Sequence, residues 1–180
     1  ALLKNASEKH DIKNIYDNYN KLFSNHEIDL VSIATRTKER FEIIQAAIEN
    51  GVRAIHIEKP LCNSIEQLKE IENIVSHNNV CLSYGTLRRY LNIYQKAKDL
   101  VDSGRFGKLR QIQVNFGESA LFWTHPHSVD IILFFSGDRK LEAVQSNLSN
   151  VILSSKKNVV SDPLIEQASM YFDGGLVGTI

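Results

Sequence analysis

Two short stretches hold side chains whose types and spacing could do chemistry. The first is Glu58-Lys59-Pro60, which ends the apolar run Ile55-His56-Ile57 with an acid and a base side by side. A residue before proline is biased to extended backbone, so Lys59 is kept out of a helix. A lysine fixed at a strand end in a partly dry crevice has its charged form disfavoured and becomes a usable proton donor or acceptor. The same spacing also fits a surface lysine at a strand-to-helix turn. The second stretch is Thr124-His125-Pro126-His127-Ser128-Val129-Asp130. With Pro126 in a first helical turn, His127 and Asp130 share one face. Together they could hydrogen-bond a polyol or pass a proton between a hydroxyl and solvent. The alternative is a plain helix start capped by Asp130 or Thr124. His125 with His127 hints at a metal, but no third ligand stands at a recognisable spacing, so no metal is expected.

Smaller signals surround these. Ala34, Thr35 and Arg36 close another apolar run. Arg88 and Arg89, between Tyr84 and Tyr90, could hold a phosphate or a carboxylate, or form a solvated hinge. Trp123, beside the two histidines, is either packing or a platform on which a sugar ring stacks.

The elements that must position them follow from hydrophobic period. "IDLVSIAT" (28–35) reads as a strand buried on both faces. In "TKERFEIIQAAIENG", Phe41, Ile44, Ala47 and Ile48 share a helical face, and Gly51 suits a left-handed close. "RAIHIE" (53–58) is the next strand. Ser64 and Gln67 then form a capping box before a helix with Ile65, Leu68, Ile71 and Val75 inward. "VCLSYG" (80–85) is a third strand. Strand, helix, strand, helix, strand with short links predicts a parallel sheet, whose ligands bind beyond the carboxyl ends of the strands. Thr35 and Glu58-Lys59 stand at two such ends.

The period then changes. "NIYQKAKDLVDSG" is a helix with Ile93, Ala97, Leu100 and Val101 inward. From "KLRQIQVNF" onward, apolar and polar residues alternate, as in a sheet with one solvated face, usually antiparallel. A helix, "HPHSVDIILFFSG", interrupts it. Strand-like stretches follow at 140–147, 149–154 and 165–173, and "DGG" turns the last one back. The expected division is α/β: a Rossmann-type parallel domain over 1–105, then an α+β domain with a mostly antiparallel sheet over 106–180.

With 180 residues, 43% apolar and 23% charged, the chain has a globular composition. Its 21 basic and 21 acidic side chains cancel. No basic surplus favours nucleic acid, and no apolar run reaches the roughly 18 residues of a membrane helix. Cys62 and Cys81 form no disulfide or metal spacing and read as buried, reduced thiols of a cytoplasmic protein.

"IDLVSIAT", "AAIENGVRAIHIEKPLCNS", "LVDSGRFGKLRQIQV" and "HSVDIILFFSG" stand in an order and spacing that resembles the glucose–fructose oxidoreductase / inositol dehydrogenase (Gfo/Idh/MocA) family. The resemblance implies an NAD(P)-dependent oxidoreductase acting on a sugar, inositol or related polyol. It implies a cofactor, NAD or NADP, near Ala34, Thr35, Arg36, Glu58 and Lys59. By the same resemblance, Lys59 and His127 would be catalytic, with Asp130, Trp123, His125 and Arg89 near substrate. It also implies a homo-oligomer, a dimer or tetramer, formed through the C-terminal sheet.

Departures accompany it. The family's glycine-rich phosphate turn has no counterpart, since the first glycine is Gly51, and a fragment is the expectation. The family's proline after Ala-Thr is Arg36 here, its histidine five residues beyond the threonine is Arg40, and its aspartate four before the histidine is Trp123. A family-like protein without turnover, binding a sugar or nucleotide as a sensor or scaffold, is the competing reading.

Overall fold

Isoleucine supplies most of the first unit's interior. The structure, a computed structural model, describes residues 2–155 and 159–180. It divides the chain into two compact units, Ala1–Tyr84 and Gly85–Ile180. The division falls ahead of residue 105, where the change of period placed it.

The first unit runs α1 (Leu2–His10), α2 (Tyr19–Asn25), β1 (Leu30–Ile33), α3 (Thr37–Glu49), β2 (Ala54–Ile57), α4 (Ile65–His77) and β3 (Cys81–Tyr84). The three strands form a parallel sheet in the order β1-β2-β3, with Val31 opposite Ile55 and Ile55 opposite Leu82. Parallel neighbours need a crossover, and α3 and α4 supply the two. Helices α2, α3 and α4 each have a local reason to start or stop. The Asn18 side chain accepts from the Asn20 N–H at 2.7 Å, and Ser64 Oγ accepts from the Gln67 N–H at 3.1 Å. Gly51, at φ +88°, closes α3 in the left-handed region where a Cβ would be strained. Ile33, Ile44, Ala47, Val52, Ile55, Ile57 and Ile71 are almost fully buried. Each isoleucine so placed contributes about 1.5–3 kcal/mol.

Three expectations are corrected in this unit. β1 is not covered on both faces: Leu30 is exposed and only Ile33 is buried. In α4 the inward stripe narrows to Ile71, with Val75 partly buried, while Ile65 and Leu68 are exposed. Cys81 is an exposed free thiol and Cys62 a half-buried one. Apolar period marks a candidate face, but the coverage depends on neighbours that period cannot specify.

The second unit holds a 3-10 turn at Leu87–Tyr90, then α5 (Asn92–Asp102), β4 (Gln111–Gln113), β5 (Ser119–Ala120), α6 (Pro126–Ser136), β6 (Leu141–Ser149), β7 (Leu164–Phe172) and β8 (Val177–Thr179). β7 is the spine, antiparallel to β5, β6 and β8. β4 joins the outer edge of β8 in parallel, so the sheet is mixed. The alternation around Ile112 gave the correct period but not this direction. The stretch 149–154 is not a strand of its own; Ser149 ends β6 and Leu153 makes an isolated bridge with Val159. On α5, Ala97 and Val101 are half-buried, but Ile93 and Leu100, expected inward, are exposed.

α6 presses its Ile132, fully buried, onto Met170, Phe172 and Leu176. The approach is possible because β8 has a glycine there. A Cβ on Gly178 would lie 2.3 Å from Ile132 Cγ2, a distance no real contact shows. Gly178→Ala is therefore expected to destabilise the protein by about 1–3 kcal/mol through overpacking. Urea unfolding of the single and double variants checks this: with Ile132→Ala also present, the two costs should fall short of their sum.

Candidate active site

The carboxyl ends of β1 and β2 lie at the same edge of the parallel sheet, and Arg40 ties them together. Arg40 stands in the first turns of α3 on the face that carries Ile43, Ile44, Ala47 and Ile48, and is itself only 5% exposed. Its Nε and Nη2 donate to the Thr35 carbonyl at 3.0 and 2.7 Å. Its Nη1 donates to the carbonyls of Glu58 and Pro60. A guanidinium is a rigid fork of five donors, so one side chain can serve acceptors in two directions. Burial pushes the Arg40 pKa down, and the nearby Glu58 and Tyr84 push it back.

Around this bracket stand the residues expected near a cofactor. Ala34, Thr35 and Arg36 are exposed, while Glu58 and Lys59 are half-buried. The Glu58 N–H donates to the Ile33 carbonyl at 3.0 Å, which extends the ladder one step beyond β2. The Lys59–Pro60 peptide is cis. Ala34 and Thr35 also line a cavity of about 410 Å³ whose other walls include Leu3, Tyr16, Tyr19 and Val31. The small Ala34, the Thr35 hydroxyl and the Arg36 cation are groups that fit a dinucleotide: close approach, a hydrogen bond to a ribose, a charge for phosphate.

In the second unit the expected residues fall into two clusters. Arg89, on the 3-10 turn, grips Asp130 of α6 in a fork: Nη2 to Oδ1 at 2.5 Å and Nε to Oδ2 at 3.0 Å. The pair is mostly buried, with side chains 31% and 12% exposed. Arg89 also donates to the Asp130 carbonyl at 3.3 Å, and its guanidinium carbon lies 5.5 Å from the centre of the Phe134 ring. Its bonds to Asp130 raise the Arg89 pKa against the opposing effect of burial. Asp130 is thus held in one orientation, with lone pairs left on both oxygens for another donor. His127 is half-buried at the second position of α6.

The second cluster is His125 and its loop. His125 is 2% exposed, with Nδ1 3.2 Å from Ser128 Oγ and its ring edge-on to Phe116 at 5.7 Å. Burial pushes its pKa down, partly opposed by Asp162, so it is neutral near pH 7. Asp162 takes the Phe122 N–H at 2.7 Å on one oxygen and the Trp123 N–H at 2.9 Å on the other. Trp123 stands on this anchored loop, 71% exposed. Plain capping does not describe the stretch. His125 is the N-cap without a side-chain cap bond, Asp130 is turned to Arg89, and the Thr124 hydroxyl accepts from Ser119. Among the described residues, no group of three or more His, Cys, Asp or Glu is placed to hold a metal ion.

Two residues escaped sequence reasoning as site components. Arg40 stood out only as a departure from a family pattern; its signal was a charge at i−4 from Ile44 and i−7 from Ala47 on a buried face. Asp162 lies about 40 residues from the amides it holds, and no local spacing links them.

Residues 2–86 match the model of an oxidoreductase family described as having an NAD-binding Rossmann fold, the Gfo/Idh/MocA family. A scyllo-inositol 2-dehydrogenase (NAD(+)) of Bacillus subtilis is 38% identical over 81 residues, which are 45% of this chain and 23% of that protein. The crystal structure of myo-inositol 2-dehydrogenase from Lactobacillus plantarum matches 97% of the chain and 56% of its own, with TM-score 0.77 at 20% identity. An inositol dehydrogenase homolog from Azotobacter vinelandii, solved with NADH and myo-inositol, matches 91% and 48%, with TM-score 0.77 at 19% identity. The chain thus spans from under a quarter to just over half the length of these proteins. At such identities the structural matches show the fold. The parallel unit with its Glu-Lys-Pro strand end matches the Gfo/Idh/MocA oxidoreductase family model, and it and the mixed sheet after it share the fold of these dehydrogenase structures.

Proposed function

We propose that the protein containing this chain is an NAD-dependent dehydrogenase of a small cyclic polyol or sugar, inositols foremost. The observation that carries the reading is the pair of strand ends: Thr35 and Glu58-Lys59 at one edge of a parallel sheet, where ligands bind in this architecture. The relative named for scyllo-inositol and NAD(+), and the structure holding NADH with myo-inositol, support the substrate and cofactor class.

Roles follow from chemistry. Ala34, Thr35, Arg36 and Glu58 hold the dinucleotide, which supplies the hydride acceptor when bound. As a carbinol C–H is lost as hydride, the hydroxyl proton must leave, and Lys59 or His127 takes it. Asp130, fixed by Arg89, accepts from substrate hydroxyls. Trp123 offers a ring face to the apolar side of a cyclic polyol, and His125 supports the loop that carries it. We place the protein in the cytoplasm, as its two free thiols suit a reducing compartment. We expect a homo-oligomer through the second unit's sheet, because β6 is exposed along seven successive residues. Among the described residues no helix is long and apolar enough to cross a membrane.

Full-length protein should bind NADH, read by its fluorescence, and should form NADH from NAD and scyllo- or myo-inositol. Lys59→Ala is expected to lower turnover by roughly 10²- to 10⁴-fold, the range of a lost general acid–base, with little change in NADH affinity. Wild-type turnover in that variant would remove Lys59 from the mechanism. Binding of NADH without oxidation of any polyol would instead establish a non-catalytic binder. Asp130→Asn keeps the shape but weakens the fork to Arg89. It is expected to raise KM for the polyol by about tenfold and to cost about 1 kcal/mol of stability, measured by steady-state kinetics and thermal unfolding.

A further inference from the structure

We propose that Arg40 is the positioning residue of Lys59: its guanidinium, bonded to the carbonyls on both sides of that lysine, sets the direction in which the lysine reaches. The inference rests on the reading of Lys59 as the proton carrier and deepens it.

Burying an arginine costs free energy that an apolar side chain would not. The neighbours of Arg40 on the inner face of α3 are Ile43, Ile44, Ala47 and Ile48, and another apolar residue there would fill the space without desolvating a charge. The cation is kept among three carbonyls from two different strand ends, those of Thr35, Glu58 and Pro60. Two of the three flank Lys59. The Glu58 carbonyl fixes the peptide plane entering Lys59, and the Pro60 carbonyl fixes the plane leaving the proline after it. The Lys59–Pro60 peptide between them is joined to the second plane through the proline ring, so the backbone on both sides of the Lys59 Cα is constrained and the range of its Cα–Cβ direction is narrowed. The third carbonyl ties this segment to the end of β1, so Lys59 is registered against Thr35. A lysine at position 40 would offer one ammonium point and could not span both directions. Arg40 itself need touch neither substrate nor dinucleotide, and it acts through the residue it holds.

The test is a double-mutant cycle in the full-length protein: Arg40→Met and Arg40→Lys, each with and without Lys59→Ala. Arg40→Met is expected to lower kcat on the order of 10²-fold, the effect of a misplaced reacting group. Arg40→Lys should recover part of that loss. In the Lys59→Ala background, Arg40→Met should cost no more than about twofold further, because its partner is already gone. Equal losses in both backgrounds would show a general structural role and overturn the proposal. A second readout needs no turnover: amide exchange over 58–62, without dinucleotide, should rise about tenfold or more in Arg40→Met while Ile55–Ile57 stay protected. Unchanged exchange there also overturns the proposal. If Lys59→Ala leaves turnover intact, the proton-carrier reading fails by itself, and amide exchange alone decides whether Arg40 holds the segment. If Arg40→Met does not fold, Arg40→Lys carries both measurements.

Discussion

Parallel strand pairing is the constraint from which the first unit's chemistry follows. Two parallel neighbours cannot be joined by a tight turn, so each must be followed by a return helix. All strands then end at the same edge, and whatever the sequence places just after each strand is delivered there. Here the strands are four residues long and held by a small number of isoleucines, yet that suffices to bring Thr35 and Glu58 to one edge. Carbonyls at such ends lack a next rung of the ladder and must find other donors. Arg40 answers that need for three of them at once.

The second unit solves a different problem. A mixed sheet built on one long strand, β7, needs a cover on one face, and α6 provides it. Gly178 lets the helix sit close, and Ile132 fills the contact. The same helix presents Asp130 to Arg89 on its other side. Packing on one face and an ion pair on another fix α6 in rotation as well as in distance, which holds His127 at its start in a set orientation.

Much of this was legible in the sequence. The Ser64 cap, the Gly51 close and the helix between Pro126 and Gly137 were readable because each depends on neighbours within about five residues, and the parallel sheet was readable from the alternation of strands and helices. Lys59 and Asp130 were readable as residues of interest for a related reason: proline and helical spacing act locally. The misreadings share one cause. Whether Leu30, Ile65, Leu68, Ile93 or Leu100 is covered depends on what packs across from them, and a period of 3.6 or 2 does not say. The parallel direction of β4 depends on β8, about 65 residues later. Arg40 and Asp162 were missed because a side chain that bonds to backbone leaves no mark on the partner's residue type.

A guanidinium in the bracket between two strand ends differs from a histidine in one respect that geometry does not display. An imidazole gains and loses its proton across the physiological range, and its donors change with it. Arginine stays protonated, so the donors that hold Thr35, Glu58 and Pro60 do not vary with acidity over that range. The scaffold under Lys59 is therefore indifferent to pH. An acid or alkaline limb in the protein's behaviour must come from other groups, not from this support.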